Sequence, residues 1–203
     1  MPSSGRARRA VARFAPSVPL CALALAFAFA PAAGSAAGAV PPVPEPTGRT
    51  AVIKVEEVAG RLTFVGPEAV GEGDELEIVD KTDPRKVGPI TFSLVRRGYL
   101  PKTRHAQAIC FTPGHICWAI AEWQGVHGEG VPTINPAEAG SPGWDAMGTK
   151  ALPGDSWFSG TAAGGRFGQE VTAKAGTRLW FMDAIHPWLR GTIKVVATSP
   201  GQG

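Results

Sequence analysis

From Thr50 onward the chain alternates apolar and polar residues in short runs broken by Gly, Pro and Asp. Side chains two apart share one face of a strand. TAVIKVEEV (50–58), RLTFVG (61–66) and DELEIVD (74–80) therefore predict strands, with Leu62 and Phe64 on one face of theirs, and Leu76 and Ile78 on one face of theirs. GEGD before Glu75 reads as a turn, and KTDPRKVGP (81–89) as a longer one bounded by Pro84 and Pro89. ITFSLV (90–95) alternates again, with Ile90, Phe92 and Leu94 pointing one way and Thr91, Ser93 and Val95 the other. Toward the C-terminus GQEVTAKAG (168–176), TRLWFMD (177–183) and TIKVVAT (192–198) predict further strands, the first two joined by a turn at Lys174 to Gly176.

Residues 100–167 break the pattern. They are rich in Gly, Pro and Trp, show no sustained period, and hold one short helix candidate, ICWAIAEWQGV (116–126). A long segment of this kind inside a compact domain is usually functional or mobile. Short strands at both ends, few helices and turn-rich joints predict an all-β sandwich with a long irregular insertion containing a short helix, rather than a parallel α/β sheet. No internal repeat is present.

The first 39 residues stand apart. Arg6, Arg8, Arg9 and Arg13 occur with no acidic residue, an apolar run follows from Val18 to Pro31, and small residues lead to Ala39. That order is a secretory signal peptide, with cleavage expected after Ala39. The apolar run, about 14 residues, is short of the roughly 20 that span a bilayer. Cys21 lies within it, without the small residues that precede a lipidated Cys. VPPVPEPTG (40–48), with four prolines, reads as a stiff spacer within a linker over 40–49. The folded domain is expected over 50–198, and 199–203 as a flexible tail.

The leader also carries the net charge. The chain has 20 Lys and Arg against 17 Asp and Glu; removing the four leader arginines leaves 16 against 17, a net of −1. Nucleic-acid and membrane-surface partners then have no electrostatic support. Cys110 and Cys117 remain in a chain expected to reach a secreted, periplasmic or cell-surface location, so a disulfide between them is the expectation. The competing use of CFTPGHIC as a metal site, through both thiols and His115, needs a fourth ligand at workable spacing.

The segment FMDAIHPWLRG (181–191), together with GPITFSLV (88–95), resembles the cupredoxin family of plastocyanin-like blue-copper domains. The resemblance covers most of 51–95 and 168–197. Family members carry an aromatic residue, CxxHxxM and a Gly that opens the last strand; here Phe181, DAIHPWL and Gly191 stand in those places. The resemblance implies a Greek-key sandwich and a type 1 copper site. Such a site needs a thiolate, two imidazoles and a long axial thioether. Carried onto this chain, the ligand positions are Ile90, Asp183, His186 and Leu189, and only His186 keeps its donor. Ile90, Leu189 and Trp188 are suited to fill the vacated space by packing.

The expectation is an exported cupredoxin-fold module that has lost its copper centre and serves as a binding or structural domain, with no cofactor. The first alternative is a copper-binding or electron-transfer protein in which His105, His115 or His127 joins Asp183 and His186 in a nitrogen and oxygen site for Cu(II) or Zn. Asp183 and His186 read as an acid–base pair lack a Ser or Cys nucleophile at a convincing spacing, so no enzyme is expected. The second alternative is a glycan or cell-wall binder. All six tryptophans (Trp118, Trp123, Trp144, Trp157, Trp180 and Trp188) lie in the insertion or the final strand-loop segment. A partner surface for an unknown protein or glycan is expected around Trp188, Trp123 and Trp144.

Overall fold

The computed structural model describes residues 48–125, 142–161 and 163–198. All of them belong to the compact unit Pro42–Gly203. The expected signal segment, Cys21, most of the linker, His127 and the expected tail lie outside the described residues.

Two mixed sheets make up the body, and few helices accompany them. β1 (Thr50–Val58), β2 (Arg61–Val65), β4 (Glu75–Asp80) and β7 (Arg166–Glu170) form the first, in the order β2-β1-β4-β7. β3 (Ala69–Gly71), β5 (Thr91–Leu94), β6 (Ser156–Phe158), β8 (Arg178–Met182) and β9 (Arg190–Val196) form the second, in the order β3-β9-β8-β5-β6. β1 runs parallel to β4 and β3 parallel to β9, while the other pairings are antiparallel. The all-β, sandwich-like class read from the alternating runs is the one observed.

Alternation explains the core between the sheets. Ile53, Leu76 and Ile78 of the first sheet meet Phe92, Leu94, Leu179, Phe181, Ile193 and Val195 of the second. Gly191 lets β9 pass beside the Phe181 ring, which a Cβ at that position would strike.

The insertion differs from the expectation of an irregular segment. α2 (Arg104–Ala108) and α3 (Ile116–Trp123) fold within it, and β6 completes the edge of the second sheet beside β5. α3 is the helix expected from ICWAIAEW. Another correction concerns KTDPRKVGP, read as a turn: Pro84–Val87 forms one helical turn, α1, whose Arg85 N–H donates to the Asp83 side chain at 3.0 Å. Asp at the cap with Pro next is a helix-start signal.

The insertion also explains why all of ITFSLV is buried. Phe92 and Leu94 face the inter-sheet core, whereas Val95 joins Leu100, Cys110, Ile116, Cys117, Ile120, Met182 and Ala184 in a second apolar cluster. That cluster is contributed by the insertion, the end of β8 and the residues just after β5. Ser93, on the same face as Val95, is buried beside Ser156, to which Gln124 also donates, so β5 is covered on both faces.

Cys110 and Cys117 form the expected disulfide, with Cα atoms 5.1 Å apart and both residues buried in the second cluster. It pins the connection between α2 and α3. Closing so short a loop stabilises the fold by about 2.5 kcal/mol on the chain-entropy model. Cys110→Ser/Cys117→Ser is expected to lower stability by about that amount in urea unfolding, with the second cluster losing order first. Unchanged stability would mean that α3 is held by packing alone.

Candidate functional site

The four positions singled out in the sequence converge where β8 turns into β9, beside the start of β5. Met182 ends β8 and the chain then turns through Asp183, Ala184, Ile185 and His186 before Leu189 leads into β9. Two backbone bonds close this turn: Asp183 N–H donates to Leu189 O at 3.0 Å, and Leu189 N–H to His186 O at 2.8 Å.

Asp183 is fully buried. Its Oδ1 accepts from Thr91 N–H at 3.2 Å, Thr91 Oγ1–H at 3.0 Å and Ile185 N–H at 2.8 Å. The Thr91 hydroxyl in turn accepts Ala184 N–H at 2.6 Å. Asp183 therefore ties the turn to β5 through side chain and backbone together. Its other oxygen, Oδ2, lies 2.6 Å from His186 Nδ1.

His186 has both ring nitrogens engaged. Nδ1 meets the Asp183 carboxylate, and Nε2 lies 2.9 Å from the carbonyl oxygen of Val87 in α1. Both partners are acceptors, so the ring satisfies both only as an imidazolium, donating from each nitrogen. Burial opposes that charge. The Asp183 hydrogen bond and charge, the Val87 carbonyl and the more distant Asp80 carboxylate outweigh it, and the His186 pKa is raised above its ordinary value.

Ile90 and Leu189 are buried against Val55, with Leu62 and Phe64 closing the cluster. Ile90 is further fixed by an exchange with Ser159, whose hydroxyl accepts Ile90 N–H at 2.9 Å and whose N–H donates to Ile90 O at 2.8 Å. Hydrocarbon thus occupies the side of the site formed by Ile90 and Leu189. Trp188 does not share in this packing: it is 55% exposed and touches His186 edge-on, at 5.2 Å between ring centroids. The position of Trp188 in the turn points its ring outward, as its place in the loop between His186 and Gly191 leads one to expect, so it does not join Ile90 and Leu189 in filling the space.

The residues present do not fit a type 1 copper ion. Ile90 and Leu189 offer no donor, three N–H or O–H groups occupy Asp183 Oδ1, and both His186 nitrogens are committed. The other histidines stand elsewhere. His105 is exposed in α2, and His115 stands just before α3 with its ring turned back, Nδ1 2.9 Å from the Thr112 hydroxyl. Among the described residues no group of three or more His, Cys, Asp or Glu side chains converges.

Three participants are absent from the sequence reading. Thr91 was legible only as the outward partner of Ile90 in the alternation, and the Val87 carbonyl not at all, because a backbone acceptor carries no residue signature. Asp80 is fully buried, with Oδ1 accepting from Thr82 N–H at 2.8 Å and Thr82 Oγ1–H at 2.7 Å. The Asp-x-Thr spacing of DKT was its available signal.

The three tryptophans grouped as a partner surface do not share one. Trp144 is fully buried, with its indole N–H donating to Leu76 O at 2.9 Å. Trp123 is partly buried against the second cluster. Trp188 alone of the three is exposed. The sequence singles out Trp188 as the best candidate for exposure, because it stands in the loop between His186 and Gly191; the aperiodic segment around Trp123 and Trp144 carries no such signal.

A scan of the sequence against protein-family models finds no match, and a search of curated proteins finds none either.

Proposed function

We propose that the chain is an exported module of the cupredoxin type whose copper centre is absent, acting as a binding or structural domain in the cell envelope or outside the cell. One observation carries the reading: the residues at the four ligand positions meet in space, yet every donor among them is consumed by the fold's own hydrogen bonds. The Asp183–His186 pair does for the turn what a metal would otherwise do, linking the β8–β9 connection to β5 and to α1. Two mixed sheets closing over a shared apolar core support a sandwich-like body for such a module. The buried Cys110–Cys117 bond favours an oxidising compartment, which agrees with the leader-like N-terminal sequence.

Equilibrium dialysis against Cu(II) and Zn(II) tests the reading, together with the visible spectrum of the copper-treated protein. Neither ion is expected to bind tightly at one per chain, and no intense thiolate-to-copper band is expected. Tight stoichiometric binding that disappears in His186→Ala overturns the proposal in favour of a metal carrier.

A further inference from the structure

The outer face of the second sheet carries a shallow groove of about 400 Å³ beside the exposed Trp188. Trp180 of β8 and Thr192 of β9, register partners across the two strands, form part of its wall. Trp188 rises from the turn at one end. Leu100 and the cations Arg97, Lys102 and Arg190 complete it. Among the described residues no acidic side chain lines the groove.

Two features set these cations apart from solvated surface charge. Arg97 lies over the Trp180 ring at 5.1 Å, which orients its guanidinium and leaves the edge N–H groups free to point outward. Arg190 donates from Nη1 to Pro101 O at 2.9 Å, which fixes the side chain while its remaining donors stay available. Among the described residues no ion pair joins Arg97, Lys102 or Arg190 to a carboxylate. The concentration of positive charge is local, because residues 40–203 have more acidic than basic side chains, 17 against 16.

The ligand such a groove recognises must offer negative charge at its edge and a flat, partly apolar face. We propose that this groove binds an anionic glycan, a chain of uronic-acid sugars, with a pyranose C–H face against Trp188 and sugar carboxylates paired with Arg97, Lys102 and Arg190. A uronate ring carries its carboxylate at the ring edge, about where a guanidinium beside an indole can take it in a two-pronged contact. An acidic peptide supplies the charge and lacks the flat face. A single-stranded nucleic acid supplies both, and an exported chain with a slight net negative charge is poorly matched to it. The volume holds one or two sugar units, so the site grips a short stretch of a longer polymer. The inference rests on the reading of the chain as an exported binding module and names the chemistry of what it binds.

The test is a titration of the purified protein, in the presence of a chelator, with an oligogalacturonate and with a neutral galacto-oligosaccharide of equal length, followed by tryptophan emission and by calorimetry. The acidic oligosaccharide is expected to bind saturably, and the neutral one at least about tenfold more weakly. Raising the salt from low to well above physiological strength is expected to weaken the acidic complex at least about tenfold. Trp188→Ala, and separately Arg97→Gln/Lys102→Gln, are each expected to lose at least about tenfold in affinity while keeping the wild-type circular dichroism, since all three side chains are exposed. No saturable binding, equal binding of the neutral sugar, unchanged affinity in Trp188→Ala, or tighter binding of a poly-aspartate peptide or oligonucleotide of equal charge overturns the assignment. With chelator present, a metal site at His186 would sink the copper-free reading without creating or removing sugar binding, so the two failures are distinguishable.

Discussion

Asp183→Ala is expected to destabilise the fold by about 3–5 kcal/mol, the cost of removing one partner from a buried ionic pair. The substitution strips acceptors from both Thr91 donors, from the Ile185 N–H and from the His186 ring together, and it removes the counter-charge that keeps the ring, 8% exposed, protonated. Asp183→Asn keeps an oxygen for the Thr91 and Ile185 donors, so its expected loss is smaller, about 1–3 kcal/mol. Urea unfolding of the two variants separates the charge from the hydrogen-bond geometry. A loss under about 1 kcal/mol in the Ala variant would show that the turn is held by Leu189 and its apolar neighbours instead.

The same pair makes stability depend on pH in a defined direction. The His186 pKa is raised in the fold above the ordinary 6.5. Its contribution is therefore complete below that ordinary value and is lost as pH rises through the raised one. Wild-type protein should lose stability over this interval, and Asp183→Asn, lacking the carboxylate, should lose much less. If the two curves run parallel from acid to alkaline pH, the imidazolium is not what the site stabilises.

Trp144→Ala is expected to cost about 3–5 kcal/mol, as for a large aromatic removed from a packed core. The ring sits edge-on to Phe92 at 5.2 Å and to Phe167 at 5.7 Å, and so joins both sheets through one side chain. Trp144→Phe retains much of that packing and leaves Leu76 O without its indole donor, for an expected loss of about 1–3 kcal/mol. Thermal or urea unfolding provides the comparison. Near-equal losses for the two variants would place the whole effect in the hydrogen bond, contrary to the packing argument.

What the sequence revealed followed from period. β1, β2, β4, β5, β8 and β9 have a buried face opposite a more polar one, or β-branched and aromatic residues throughout, and each was legible in its alternation. β3 and β6 are three residues long, too short for any period to register. The strand expected from GQEVTAKAG ends at Glu170; the stretch after it, starting at Val171, turns toward the other sheet, and the strand begins earlier, at Arg166. The site was legible at Ile90, Asp183, His186 and Leu189 because the resemblance set those positions side by side. What tied them together was not: the Val87 carbonyl and the Thr91 hydroxyl acquire their roles only when distant segments meet.

The path of β5 has a consequence for the order in which the protein assembles. Ser93 pairs across the sheet with Ser156, 63 positions later, and with Met182, later still. No local hairpin can satisfy this interior strand, so its backbone remains without both neighbours until nearly the whole chain has been synthesised. A topology with such distant pairings is slow to close, so the last-made third of the chain decides when the second sheet becomes rigid.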